Sequence, residues 1–238
     1  MARKKRNQFD VDEIYRGLRT NIEFSQMDDA IQVINVVSTI PNEGKSTVTL
    51  DLARSLTESG KRVLLIDTDM RKSVYVGRLR ATSTDGSEIY GLSHFLSGQK
   101  KLEDVLYGTG IPGMFMIFAG PSVPNPTEIL EKKYFEELLK FGREHFNYVL
   151  LDCAPIGAAI DAAVIAKHCD GAILVIAQGM ARGRLILNVK KQLEASGVRV
   201  LGAVLNKVKM KKNSYYGGYY GGYYGSYYGS KEEDKSEE

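Results

Sequence analysis

A short glycine-containing segment, Gly44-Lys45-Ser46-Thr47, carries the residue types that bind phosphate. It follows an apolar, β-branched run at 31–37 and precedes a segment with helical apolar spacing. A loop between a strand and a helix can turn its backbone N–H groups toward phosphate oxygens, and the amino end of the helix adds partial positive charge. We therefore expect Lys45 to reach the β- and γ-phosphates of ATP and the Ser46 hydroxyl to ligate Mg²⁺.

The predicted ATP contacts extend beyond these four residues. The general pattern of such loops has glycine five residues before Gly44, where this chain has Thr39. A further contact, to adenine, is expected from the asparagine of the sequence LNK at the end of the last strand, although an ordinary turn residue is the alternative. The predicted ATP-binding set is Asn42, Glu43, Gly44, Lys45, Ser46, Thr47 and Asn206.

Carboxylates follow two other apolar runs of the chain. Asp67 and Asp69 lie in IDTDMR, and Asp152 ends YVLLD. Two carboxylates two residues apart can face one Mg²⁺ or one attacking hydroxyl, which needs a base as phosphoryl transfer proceeds. We predict that Ser46, Asp67 and Asp152 organise Mg²⁺ and that Lys45, Asp67, Asp69 and Asp152 are catalytic. Either Asp67 or Asp69 accepts the proton, and we favour Asp67.

These residues must be positioned by the elements around them. Short apolar runs alternate with amphipathic segments, which predicts an α/β fold of the P-loop NTPase type, with a mostly parallel sheet and helices on both faces. Ligands of such sheets bind at the carboxyl ends of the strands, where the residues above would meet. Strands are expected at 31–37, 62–67, 114–120, 148–152, 171–177 and 198–206. Helices are expected at 10–26, from 45 to Gly60, near 91–98, from a capping box at Asn125 and Glu128, at 158–168 and at 182–196.

The end of the chain has a different composition. Residues 213–230 repeat paired tyrosines every four positions between glycines, with no aliphatic residue to build a core, and are predicted to be disordered. We divide the chain into a helical segment at 1–29, a P-loop domain at 30–208 and a disordered tail at 209–238. The tail tyrosines are Tyr215, Tyr216, Tyr219, Tyr220, Tyr223, Tyr224, Tyr227 and Tyr228.

Overall composition excludes several classes of protein. The net charge of +3 is too small for a dedicated nucleic-acid binder, although cations cluster in the first six residues and at 207–212. No run approaches the roughly 18 apolar residues of a membrane span, and no signal peptide is expected. The two cysteines have no metal-site spacing and indicate reduced thiols in the cytoplasm.

The three motifs GKST, LLIDTDMR and YVLLDCAP together resemble the Walker A, A′ and B motifs of the bacterial tyrosine kinases (BY-kinases). The segment AGPSVPNPTEIL at 119–130 resembles another motif of that family. Glu13, Arg16 and Arg19 are similar to its ExxRxxR subunit-contact motif, and the tyrosine tail to its autophosphorylation cluster. The resemblance covers nearly the whole chain and is closest to the Gram-positive capsular type.

This resemblance implies an ATP- and Mg²⁺-dependent protein-tyrosine kinase that phosphorylates its own tail and regulates capsular or extracellular polysaccharide synthesis and export. It implies a separate transmembrane activator, a ring-shaped homo-oligomer, a cognate phosphotyrosine phosphatase and a cytoplasmic location at the inner face of the membrane. Two residues depart from the family pattern. Asn42 replaces a common glycine, and Ala154 replaces the first residue of a common proline pair.

Two other functions are alternatives to the kinase. Partition and septum-positioning ATPases carry a second lysine five residues before the P-loop lysine, where this chain has Ile40. They also have no use for a tyrosine tail. A non-catalytic, nucleotide-gated scaffold with a self-associating Tyr/Gly tract is the other alternative. A flexible chain from Asn206 to Tyr215 or Tyr228 spans roughly 17 or 27 Å, which is long enough for the tail to serve as a substrate.

Overall fold

The computed structural model describes residues 2–26, 30–82, 88–157 and 161–209. The predicted phosphorylation sites at 215–228 and the predicted disorder of the tail lie outside these residues. The described helices and strands all lie in the compact unit that ends at Asn206.

A seven-stranded sheet organises the described part of the chain, with the spatial order β3-β4-β2-β5-β1-β6-β7. Five of its six strand pairs are parallel, and only the two-residue β3 runs antiparallel to β4. The prediction of a mostly parallel sheet is therefore confirmed. The strands are β1 (Val33–Ser38), β2 (Val63–Asp67), β3 (Tyr107–Gly108), β4 (Met114–Ile117), β5 (Tyr148–Asp152), β6 (Gly171–Ala177) and β7 (Arg199–Asn206).

Helices cover both faces of the sheet. The described helices are α1 (Ala2–Phe24), α2 (Lys45–Glu58), α3 (Tyr75–Leu79), α4 (Leu92–Leu96), α5 (Leu102–Val105), α6 (Pro126–Leu130), α7 (Lys133–His145), α8 (Asp161–Ala166) and α9 (Gly183–Ala195). Alternate residues of β1 face two separate cores, because side chains of a strand point to opposite faces. Ile34 and Val36 pack with α1 and α2, whereas Val33 and Val37 pack with α4 and α6 to α9.

The strand order places β2 beside β5 and β5 beside β1. In the parallel register of β2 and β5, Asp67 is paired directly with Asp152. Both strands are fully buried, which accounts for their uninterrupted apolar sequences. The sheet thus brings the two predicted carboxylates together beside the loop that follows β1.

The predicted long helix from Asn125 is wrong, because two helices, α6 and α7, occupy this region. Lys132 between them has an extended backbone conformation (ψ 154°) that interrupts the helix. The predicted capping box is also absent from this site. The Asn125 side chain caps no backbone group, and its amide Nδ2 instead donates to Glu128 Oε1 at 3.0 Å. The short elements α3, α5 and β3 were not among the predicted elements, because none of them is long enough to show an apolar periodicity of its own.

Candidate active site

The loop between β1 and α2 takes the conformation that a phosphate-binding loop requires. Gly44 is left-handed (φ 93°, ψ 16°) and directly precedes the first residue of α2. Asn42 is also left-handed (φ 66°). Asparagine tolerates this conformation better than most residues, so its replacement of the family's glycine leaves the turn intact. The prediction of a phosphate-binding turn ahead of α2 therefore agrees with the backbone.

Glu43 supports this loop from the protein interior. Its carboxylate is fully buried, and its Oε2 accepts hydrogen bonds from the backbone N–H groups of Thr39 (2.7 Å) and Ile40 (2.9 Å). Its Oε1 accepts from the N–H of Ala177 at 3.1 Å. The Asn206 amide donates to the Glu43 carbonyl at 2.9 Å. Glu43 and Asn206 both belong to the predicted ATP-binding set, and in the structure their side chains hold the loop against β6 and β7.

Lys45 forms a buried ion pair in the centre of the site. Its Nζ lies 2.6 Å from Asp152 Oδ1, and both side chains are less than one-tenth exposed. Burial favours the neutral amine, but the Asp152 carboxylate outweighs this effect and the pKa of Lys45 is raised. The Thr49 hydroxyl lies 3.3 Å from the same Asp152 oxygen. The P-loop lysine and the carboxylate that ends β5 are therefore in direct contact, at the edge of the sheet where the sequence predicted both.

Asp67 is the second buried carboxylate of the site. Its Oδ1 accepts from the N–H of Asp69 at 3.1 Å, and its Oδ2 accepts from the Ser73 hydroxyl at 2.6 Å. Burial, together with repulsion by the charge of Asp152, raises the pKa of Asp67 to about 7. This carboxyl is thus poised to exchange a proton near neutral pH.

Asp69 differs from Asp67 in its surroundings. Its side chain is only partly buried, and its Oδ1 accepts from the backbone N–H of Lys72 at 3.0 Å. The two carboxylates that the sequence places two residues apart thus belong to one loop. Only Asp67 adjoins Asp152 in the sheet register.

A buried aspartate that the sequence analysis missed anchors this loop. Asp161, at the start of α8, receives two hydrogen bonds from the Arg71 guanidinium (2.7 and 3.2 Å) and one from the Thr127 hydroxyl (2.5 Å). Burial raises the pKa of Asp161, but these hydrogen bonds outweigh it and leave the pKa below its ordinary value. The cluster ties the loop after β2 to the PNPTE segment. No local pattern singles out Asp161.

The chemistry of these groups fits Mg²⁺ bound together with a nucleotide. Within residues 2–26, 30–82, 88–157 and 161–209 no three His, Cys, Asp or Glu side chains form a metal cluster. Mg²⁺ does not require such a cluster, because one or two carboxylates commonly hold it together with substrate phosphates and water. Asp67 and Asp152 supply two adjacent carboxylates. Burial and mutual repulsion raise the pKa of Asp67, and a divalent cation bound between the two carboxylates would relieve that repulsion.

The three residues predicted to form a subunit contact, Glu13, Arg16 and Arg19, all lie on α1 but differ in their exposure and in their contacts. Arg16 forms an ion pair with Glu13 at 3.3 Å, and both side chains are more than half exposed. Arg19 turns inward and donates to the carbonyl of Ser55 in α2 at 2.7 Å. Glu13 and Arg16 are therefore exposed on the surface of α1, whereas Arg19 joins α1 to α2.

The fold and the phosphate-binding loop together indicate a general class of protein. Residues 34–218 match the family described as the CobQ/CobB/MinD/ParA nucleotide binding domain. The P-loop prediction is thereby confirmed, and the domain binds nucleotide. One solved structure with this architecture is the septum site-determining protein MinD complexed with Mg-ADP from Pyrococcus horikoshii. It is 26% identical, with a TM-score of 0.63 over 76% of this chain and 72% of that one.

Proteins with higher sequence identity to this chain indicate a more specific family within that class. Tyrosine-protein kinase CpsD of Streptococcus pneumoniae serotype 4 is 41% identical over 86% of this chain and 88% of its own length. The kinase domain of Escherichia coli tyrosine kinase ETK superposes with a TM-score of 0.78 at 30% identity, over 84% of this chain and 76% of that one. The chain belongs to the bacterial tyrosine kinases and is a protein-tyrosine kinase. The partition-type ATPase and the scaffold are not favoured by these similarities.

No helix in the described ranges has the length and apolar character needed to cross a bilayer.

Proposed function

We propose that this kinase transfers the γ-phosphoryl group of Mg–ATP to the tyrosines at 215–228 of its own chain. The observation that carries the proposal is a buried trio: Asp67 and Asp152 end the adjacent strands β2 and β5, and Lys45 at the start of α2 is paired with Asp152. It supplies one cation for phosphate and two carboxylates for metal and proton. The paired tyrosines supply the acceptors.

Proton transfer is the step that Asp67 is suited to perform. A tyrosine hydroxyl has a pKa of about 10 and is a weak nucleophile at neutral pH. The Asp67 carboxylate can accept this hydroxyl proton as the tyrosine oxygen bonds to phosphorus and the bond to ADP breaks. The proton then resides on the Asp67 carboxyl, and Ser73, which now donates to Oδ2, gives up that hydrogen bond to the incoming phenol. Asp69 is the second carboxylate of the loop and the alternative base.

Lys45 and Asp152 act on the phosphate side. The Lys45 ammonium has three donors, so it can keep Asp152 while it donates to the β- and γ-phosphate oxygens. Mg²⁺ would be held by the Ser46 hydroxyl, Asp67 and Asp152, and when bound it neutralises phosphate charge. Backbone N–H groups of the Gly44 turn would contact the phosphates.

The biological setting that we propose follows the resemblance. A separate transmembrane protein activates the kinase at the cytoplasmic face of the membrane, where it regulates capsular or extracellular polysaccharide synthesis and export. A phosphotyrosine phosphatase reverses the modification. The exposed Glu13 and Arg16 of α1 contribute to contacts between subunits of a ring.

Mass mapping of phosphate after incubation with Mg–ATP tests the central claim. The wild type should gain phosphate on residues 213–230, and Lys45→Met should gain none. Because Lys45→Met leaves Asp152 unpaired, its folding must be verified by circular dichroism. A folded Lys45→Met variant with undiminished phosphotyrosine would overturn the mechanism. Phosphate found only outside residues 213–230 would overturn the assignment of the tail as substrate.

A mixing experiment separates transfer within one chain from transfer between chains. Lys45→Met, which keeps its tail, is incubated with an active chain truncated after residue 212. Phosphate on the Lys45→Met tail would establish transfer between chains, and its absence would indicate transfer within one chain.

A further inference from the structure

Helix α3 holds the first turn of α2 at two points. The Tyr75 hydroxyl donates to the carbonyl of Ser46 at 3.0 Å. The Arg78 guanidinium, one turn further along α3, donates through Nη1 to the Thr47 hydroxyl oxygen at 2.7 Å. These are two consecutive residues of the phosphate-binding loop, so α3 contacts the nucleotide site along its outer side.

The two contacts differ in whether they leave a polar group free to bind a ligand. Tyr75 is fully buried, and its pKa is raised well above the ordinary value by burial and by the charges of Asp152 and Asp67, so it remains a neutral packing group. Arg78 is exposed and carries a full positive charge. By donating to the Thr47 oxygen, Arg78 leaves the hydroxyl proton of Thr47 free for another acceptor.

The position of Thr47 indicates what that acceptor is. Thr47 lies in the first turn of α2, where its N–H is bonded back to the Gly44 carbonyl. The amino end of a helix attracts phosphate, and the charge of Arg78 adds to that field. The charge of Arg78 also reaches Asp51 in the next turn of α2, where it opposes the increase in pKa that burial causes.

We propose that Arg78 is a nucleotide-positioning residue, which orients the Thr47 hydroxyl toward a phosphate oxygen and adds positive charge beside the phosphate chain. The proposal rests on nucleotide binding at the Gly44 turn. It assigns a role in nucleotide affinity to a residue outside the three sequence motifs.

Isothermal titration with Mg–ADP tests this role. Arg78→Gln should weaken binding roughly tenfold, the effect expected from the loss of one charge-assisted hydrogen bond. Arg80→Gln removes the same charge two residues away, where no side-chain contact is seen within the described residues, and should bind like the wild type. Equal affinity of Arg78→Gln and wild type would overturn the proposal. A wild type that does not bind Mg–ADP would overturn the nucleotide site itself.

A double-mutant cycle shows whether Arg78 acts through Thr47. Thr47→Val removes the hydroxyl with little change in volume, so adding Arg78→Gln to it should cost much less than Arg78→Gln costs alone. Fully additive losses would overturn the positioning role.

Steady-state kinetics provide the remaining readout. Arg78→Gln should raise KM for ATP about tenfold and change kcat less than twofold, because the interaction is present before the chemical step. A lower kcat at unchanged KM would contradict the assignment.

Discussion

Replacing Asp67 by asparagine should change how the stability of the nucleotide-free kinase depends on pH. The folded-state pKa of about 7 lies above the ordinary value of 3.8. Between these two values the folded protein binds more protons than the unfolded chain, so the free energy of unfolding falls as pH rises. Asparagine cannot ionise and lacks this dependence.

The size of the effect follows from linkage. Asp67 ionises at a lower pH in the unfolded chain than in the folded protein, so for these two pKa values the wild type loses about 2 kcal/mol of unfolding free energy by pH 5 and about 4 kcal/mol by pH 8. The stability advantage of Asp67→Asn over wild type should therefore be about 2–3 kcal/mol larger at pH 8 than at pH 5. Because only the change between the two pH values is used, any packing difference between the side chains cancels.

Urea unfolding without Mg²⁺ or nucleotide, followed by circular dichroism at pH 5 and pH 8, measures this difference. Asp69→Asn is the matched control, because it removes a partly exposed carboxylate from the same loop. It should follow the wild type. If the wild-type and Asp67→Asn stabilities change in parallel between pH 5 and pH 8, the burial argument for Asp67 is refuted.

Three other substitutions test the support of the site. Glu43→Gln replaces one of the two accepting carboxylate oxygens by an NH₂ group, so at least one of the three bound backbone N–H groups loses its acceptor. Urea unfolding should show that the free energy of unfolding falls by about 1–3 kcal/mol. Gly157→Ala would place its Cβ 2.3 Å from the carbonyl oxygen of Thr39, in the loop after β1, and would therefore displace that loop. Isothermal titration should show weaker Mg–ADP binding. Unchanged affinity would contradict the contact. Asp161→Asn releases Arg71 and should lower kcat roughly tenfold with little change in KM for ATP. An equal fall in nucleotide affinity would argue against a role confined to the loop after β2.

The phosphate-binding turn could be read from the sequence because its determinants are local. Gly44 and Asn42 adopt left-handed conformations that depend on their own residue types, and the adjoining strand and helix show their own periodicities. The location of Lys45 and Asp152 at the same edge of the sheet was also predictable. All strands of a parallel sheet end at the same edge, so residues that follow them share one site.

Other features depend on which strands are neighbours, and local patterns do not encode strand order. The order that places β2 beside β5 makes Asp67 and Asp152 direct neighbours, and their burial together is what raises the pKa of Asp67. The sequence places Glu43 in the ATP-binding loop, but only the packing of that loop against β6 turns its carboxylate inward.

Asp161 and Arg78 illustrate the same limit. Each is an unremarkable charged residue in the sequence, and each acquires its role from partners 31 to 90 positions away. The sequence by itself therefore determined the P-loop fold, the left-handed turn at Gly44 before α2 and the presence of carboxylates at the same edge of the sheet. Only the tertiary structure decided which carboxylate has its pKa raised to near neutrality and which side chains hold the loops in place. The reason is that burial and long-range hydrogen bonds arise only after the strands have assembled.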